Sequence, residues 1–292
     1  MGTIIDGLHV TRGTWRSRRS ALQLAVAAAK GCLAQAETAP SDLDLLINAG
    51  IYRDRNLGEP ALAAIIQDDI GANPEDPHCD AHGTFSFDIA NGACGILTAL
   101  QIADGFLRSQ TISRAMVVAS DADPGRGASE RFPFSPAGGA LLCKWSNQDD
   151  GLGPVHWVNK PDDGDAFRAS IDFDTFRNVL RFHESTAIAA ELAAASAQAV
   201  RRCLDKAALE LPDIPAIIAA PPDHRYRAEL AAKLGVAVER IVVAADEHMH
   251  TASLLAALTR EIEAIPAGAP VLLVAAGAGI VAGAALYRRP AP

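Results

Sequence analysis

The sequence has 292 residues and is 49% hydrophobic, enough to bury a large core in one big domain or in two fused halves; a disordered chain is excluded. A formal net charge of −9 argues against a nucleic-acid surface, because phosphate binding needs clustered positive charge, and the basic run Arg12 to Arg19 is the local exception. Five cysteines, at 32, 79, 94, 143 and 203, lack CxxC pairing and read as reduced thiols of a cytoplasmic protein.

No signal peptide is expected, since the opening stretch carries Asp6 and lacks a basic-then-apolar order. A helix is predicted from Ser20 to Ala36, with Leu22, Val26, Ala29 and Leu33 as its apolar stripe, followed by a buried strand from Leu43 to Ala49. Glu59 to Ile70 reads as a helix and Thr84 to Ile89 as a strand. Gly95 to Arg108 reads as a helix with Ile96, Leu100, Ala103 and Leu107 on one face, and Ala115 to Ser120 as a buried strand. After Ala140 to Trp145, the segment Gly151 to His183 reads as β structure and loops, and a long helix is predicted from Ser185 to Ala208. The uncharged run Ala269 to Leu286 approaches membrane-spanning length, but Gly277, Gly279 and Gly283 divide it into two buried strands and a turn.

The grammar repeats. Cys32-Leu33, Ala36, Asp42 and the strand Leu45-Leu46-Ile47 return at a constant shift as Cys203-Leu204, Ala207, Asp213 and Ala216-Ile217-Ile218. Asp69-Ile70-Gly71 is echoed by Lys233-Leu234-Gly235. This is an internal duplication, dividing the chain into 1–150 and 151–292. Two α/β halves about a pseudo-twofold axis bring the starts of equivalent helices together, so the corner at Asn91-Gly92-Ala93-Cys94 should meet the segment His248-Met249-His250-Thr251. A thiol at a helix start is favoured as thiolate, which makes Cys94 either a nucleophile or a small packed residue.

Phe87-Asp88, Gly95-Ile96, Ala99-Leu100, Ile102-Ala103-Asp104, Val117-Val118-Ala119-Ser120-Asp121 and the closing Gly277, Gly279 and Gly283-Ala284-Ala285-Leu286 follow one another in a known order. In these stretches the chain resembles the thiolase superfamily, and specifically its ketoacyl-acyl-carrier-protein synthase III branch, over nearly its whole length. The resemblance implies an α/β thiolase-like fold of two duplicated halves in five layers, α/β/α/β/α. It implies an acyl group taken from coenzyme A or acyl-carrier protein onto a cysteine, no permanently bound cofactor, and a homodimer paired through the strand before Cys94, with Phe85 or Phe87 reaching toward the partner.

This sequence departs from the family at each catalytic point. Ala93 falls on the family's nucleophile position and Cys94 one residue later, a step that turns a helical side chain by about 100°. Cys94 serves as nucleophile only if the Asn91-Gly92 turn shifts the corner. Ala220 falls on the synthases' histidine, with Asp223 or His224 there if a deletion intervenes. His248 falls where synthases have asparagine and thiolases histidine, and His250 replaces it if the loop is offset. The candidate catalytic residues are therefore Cys94, His248 and His250.

Trp15, Arg16, Arg18 and Arg19 are candidates to stack on adenine and pair with phosphate of coenzyme A, or simply solvate the chain there. Arg225, Arg227 and Lys233 are candidates for docking an acidic carrier protein. His78, Cys79 and His82 lack an obvious fourth ligand, and no metal site is expected. Two functional readings stay open. One is an acyltransferase working through Cys94; the other is a catalytically silent thiolase-fold subunit that partners an active paralogue or binds acyl chains. No nucleic acid and no membrane span are expected.

Overall fold

The protein is described by a computed structural model, covering residues 1–13, 20–73, 83–125, 127–161, 164–174, 176–277 and 279–291. Trp15, Arg16, Arg18, Arg19 and the trio His78, Cys79 and His82 lie outside the described residues.

The first half runs β1 (Gly2–Arg12), α1 (Ala21–Gln35), β2 (Leu45–Asn48), α2 (Leu62–Ile70), β3 (Phe85–Asp88), α3 (Gly95–Arg108), β4 (Arg114–Asp121) and β5 (Ala137–Ser146). A two-residue strand, β6 (Gly151–Leu152), leads into β7 (His156–Asn159) and a hairpin of β8 (Phe167–Asp174) and β9 (Arg177–Glu184). Then follow α4 (Ile188–Ala207), β10 (Ile217–Ala220), α5 (His224–Leu234), β11 (Ile241–Val242), α6 (Ser253–Glu261), β12 (Pro270–Gly277) and β13 (Val281–Arg288).

The duplication is plain in the sheet order. The first half is ordered β1-β5-β4-β2-β3 and the second β7-β13-β12-β10-β11, with the same parallel and antiparallel pairings at each step. β6 pairs with both β1 and β13 and joins the halves edge to edge. Three clusters of buried residues separate the layers: α1 and α2 cover one outer face, α4 and α5 the other, and α3 with α6 fill the middle between both sets of strands.

Local chemistry explains the elements that frame the site. Ser20 caps α1 with a reciprocal bond to Gln23, two donors being satisfied at once. The buried face of α1 is Ala21, Leu24, Ala25, Ala28, Ala29, Cys32 and Leu33, so Ala29 and Leu33 of the expected stripe are buried while Leu22 and Val26 are only partly covered. On α3 the expected face holds: Ile96, Leu100, Ala103 and Leu107 are all buried. Asp88, the last residue of β3, accepts from the backbone N–H groups of Leu62 and Ala63 and from Asn48 and Arg53, fixing the start of α2. Burial pushes its carboxyl up, but these donors outweigh burial and hold it below the usual carboxylate range.

β1 was not anticipated from the sequence, yet it lies between β5 and β6 at the joint of the halves. Its pairing with β5 slips between Ile5 and Gly7, so Asp6 is an extra residue, ion-paired to Lys144 at 2.6 Å. At this bulge the Ile5 N–H donates to the Tyr287 hydroxyl of β13, at 3.1 Å.

Candidate active site

At the end of β3 the chain passes through Asn91 into a single tight helical turn, Gly92–Cys94, that runs on into α3. Gly92 has φ +50°, in the left-handed region that suits glycine. The Asn91 side-chain amide donates to the Thr98 hydroxyl, seven residues on, at 2.9 Å, which fixes the corner. Gly95 lies against Ala49, where a Cβ would come within 3.1 Å of the Ala49 side chain.

A cavity of about 960 Å³ ends at this corner. Its floor includes Gly92 and Ala93 from the first half, and Gly277, Tyr226 and His250 from the second; Phe167, Ile171 and Leu180 of the β8–β9 hairpin form an apolar wall. Arg131, Arg168 and the exposed Leu57 stand among the more open lining residues. A long apolar enclosure with charge near solvent suits an acyl chain on a polar carrier.

The structure corrects the expected place of Cys94. Ala93 opens on the cavity, while the Cys94 side chain is fully buried below it, with its sulfur 3.6 Å from the Val281 carbonyl oxygen. Burial pushes the thiol up to about 12, so the thiolate expected of a helix start does not form there. The Asn91-Gly92 turn does not rotate position 94 into the cavity. Cys32 and Cys203 are also buried and pushed up, to about 12 and about 11, and Cys143 is pushed up further.

The two histidines of the second half part ways. His248 borders the cavity but is exposed, and its backbone N–H donates to Asp246. His224 is exposed as well, 3.4 Å from Glu247, also exposed. His250 alone of the three is drawn in, with its side chain 13% exposed. Its ring stacks on Phe134 with centroids 4.2 Å apart, and Tyr52 lies 5.4 Å away. Nδ1 faces Asp121 Oδ2 at 3.5 Å. Nε2 faces the corner: a Cβ on Gly92 would stand 3.6 Å from it.

Asp121, at the end of β4, is 2% exposed and heavily engaged. It accepts from the Tyr52 N–H at 3.3 Å, the Thr251 N–H at 2.8 Å and the Thr251 hydroxyl at 2.5 Å. Burial pushes this carboxyl up; the charge of His250 and the Thr251 donors outweigh that and leave it below its ordinary value. The sequence located Asp121 as the end of a strand but gave it no role. The signal was present, since an Asp closing an otherwise apolar strand needs partners. Among the described residues there is no cluster of three or more His, Cys, Asp or Glu that could hold a metal.

Residues 204–289 match the family model of the C-terminal part of 3-oxoacyl-[acyl-carrier-protein] synthase III. The chain is 28% identical over 284 residues to a 3-oxopimeloyl-[acyl-carrier-protein] synthase of Rhodothermus marinus, covering 91% of this chain and 78% of the relative. It is 25% identical over 300 residues to a beta-ketoacyl-[acyl-carrier-protein] synthase III of Aquifex aeolicus, covering 97% and 90%. The crystal structure of 3-oxoacyl-[acyl-carrier-protein] synthase III from Aquifex aeolicus superposes with a TM-score of 0.82 at 21% identity, over 98% of this chain and all of that one. The chain is similar in sequence to ketoacyl-acyl-carrier-protein synthases III and shares their fold. Within this frame, its cavity floor carries Ala93 and His250, with Asp121 buried behind the imidazole, where the resemblance led one to expect a thiol.

Proposed function

We propose that this chain is an acyltransferase of the ketoacyl synthase III kind, whose cavity takes the acyl end of a thioester carried by coenzyme A or acyl-carrier protein. The observation that carries this reading is the cavity of about 960 Å³, apolar along the hairpin and lined at the α3 corner by Ala93 and His250. The similarity to 3-oxopimeloyl- and beta-ketoacyl-acyl-carrier-protein synthases supports the same donor class. Transfer then proceeds with the Cys94 thiol outside the cavity. Coenzyme A contacts at Trp15, Arg16, Arg18 and Arg19 belong to this reading, as does carrier docking at Arg225 and Lys233. Arg227 contributes less to docking, its guanidinium being spent on the Ile241 carbonyl.

A second reading is favoured by one observation, Ala93 in place of a nucleophile: a silent subunit that binds acyl thioester and works beside an active paralogue. Calorimetric titration with acetyl-, octanoyl- and lauroyl-coenzyme A, followed by assay of thiol release with and without an acceptor, separates the two. An acyltransferase binds and turns over; a silent subunit binds and stays idle. Absence of binding to all three refutes both.

The reading includes a cytoplasmic location and a dimer, of two copies or with a paralogue. β3 is the outermost strand of its sheet, four residues long, with Phe85 59% exposed and packed on Phe87 at 5.4 Å. An unpaired apolar edge of this kind invites pairing. Light scattering at micromolar concentration is expected to give twice the mass of the chain, and a monomer would refute self-pairing.

A further inference from the structure

The ring of His250 is presented as a base is presented. Phe134 stacks on its face, Asp121 faces Nδ1 from β4, and Nε2 is left toward the cavity corner at Gly92. Nδ1 makes no hydrogen bond and has the Asp121 carboxylate 3.5 Å away, which leaves Nε2 facing the corner at Gly92, where a Cβ would stand 3.6 Å from it. Asp121 is itself immobilised by the Tyr52 and Thr251 donors, so it orients the ring from a fixed point. Among the described residues lining the cavity there is no cysteine, since Ala93 lines the floor and Cys94 lies beneath. An acyl group bound here therefore stays on its carrier, and the acceptor must attack it there.

Resting on the acyltransferase reading, we propose that His250 is the general base of a direct acyl transfer to a hydroxyl or amine acceptor, with Asp121 as its positioning residue and no acyl-enzyme. The acceptor's proton passes to His250 Nε2 as the oxygen or nitrogen lone pair forms a bond to the thioester carbonyl carbon. The C–S bond then breaks, its electron pair leaving on the pantetheine sulfur, which takes the proton back from His250. One acyl thioester and one protic acceptor give one ester or amide and one free thiol. An imidazole alone suffices for this, because the proton leaves a heteroatom as it attacks.

The test follows thiol release from octanoyl-coenzyme A with a panel of short alcohols and primary amines, alongside calorimetric binding of octanoyl-coenzyme A and the intact mass of the protein during turnover. His250→Ala is expected to lower kcat about 100-fold or more with KM little changed, and His250→Gln to do the same, guarding against a folding defect. Among the described residues, the ionisable groups in recorded contact with His250 are Asp121 from β4 and the Tyr52 phenol from the loop after β2. Burial and the Asp121 charge push the Tyr52 phenol far up, so it stays neutral across the assay range. Asp121→Asn should lower kcat about tenfold or more with KM little changed, and should lower it no further in a His250→Gln background, because Asp121 acts through the ring. An equal further loss in that background, or lost binding of octanoyl-coenzyme A, would show a purely structural role and overturns its assignment. An acylated protein during turnover, or full activity in both His250 variants, overturns the proposal. Binding without turnover of any acceptor overturns the proposal and leaves the thioester site standing. Failure to bind acetyl-, octanoyl- and lauroyl-coenzyme A alike sinks that reading and the proposal with it.

Discussion

Iodoacetamide at pH 8 should leave Cys94 unmodified in the native protein, whereas Ala93→Cys should be alkylated and should take an acyl mass from octanoyl-coenzyme A. Position 93 lines the cavity at the start of α3, where an introduced thiol faces the cavity beside helix N–H groups even though Ala93 is only 4% exposed; position 94 does not line it and is fully buried. A thiol pushed up to about 12 is about one part in ten thousand thiolate at pH 8. An introduced thiol at 93 faces the cavity and the helix N–H groups, so it is expected to react where Cys94 does not. Peptide mass mapping before and after denaturation reads the result. Rapid native labelling of Cys94, or an Ala93→Cys variant that folds and stays unlabelled, would mean that the corner turns the other way.

The second large effect is at the joint of the halves. Tyr287 is 1% exposed, sits on β13, and its hydroxyl accepts from the Ile5 N–H at the bulge of β1. Tyr287→Ala should cost about 3–5 kcal/mol, from lost burial plus the cavity left behind. Tyr287→Phe keeps the ring but strands a buried N–H, and should cost about 1–3 kcal/mol. Urea denaturation of both variants distinguishes the parts. Equal losses would show that the hydroxyl, and not packing, holds the joint; a neutral Tyr287→Phe would show that the Ile5 N–H is satisfied elsewhere.

The same bulge explains what the sequence hid. Helices with an unbroken stripe, such as α3, could be bounded to the residue, because 3.6-residue spacing of Ile96, Leu100, Ala103 and Leu107 has no competing interpretation. β1 was invisible because Asp6 is inserted mid-strand and reverses the inward–outward alternation on either side of itself. The two-strand reading of the run 269–286 held, since β12 and β13 pair antiparallel from Pro270–Arg288 to Gly277–Val281.

At the site, counting residues along the corner put Ala93 in the nucleophile's place, and burial of Cys94 agrees with the count. What could not be read was which histidine turns inward. His248 and His250 are two residues apart in an irregular segment before α6, and only the stacking of Phe134 and the carboxylate of Asp121, distant in sequence, select His250.

The β8–β9 hairpin stands outside the duplicated frame. Between β1 and α1 the first half has only residues 13–20, whereas between β7 and α4 the second half has 160–187, and the hairpin occupies that surplus. It forms a separate two-stranded sheet, tied to the rest by the bridge from Ser129 to Leu180 and by Asn56 donating to the Asn178 carbonyl. Phe167, Ala169, Ile171 and Leu180, which wall the cavity, all belong to it. One apolar wall of the cavity is thus written in a short insert, while Asp121, Thr251 and the α3 corner are written in the frame. On the proposed acyltransferase reading, exchange of this one hairpin would alter the fit of the acyl chain without touching His250 and Asp121, which makes it the natural place to graft a new selectivity.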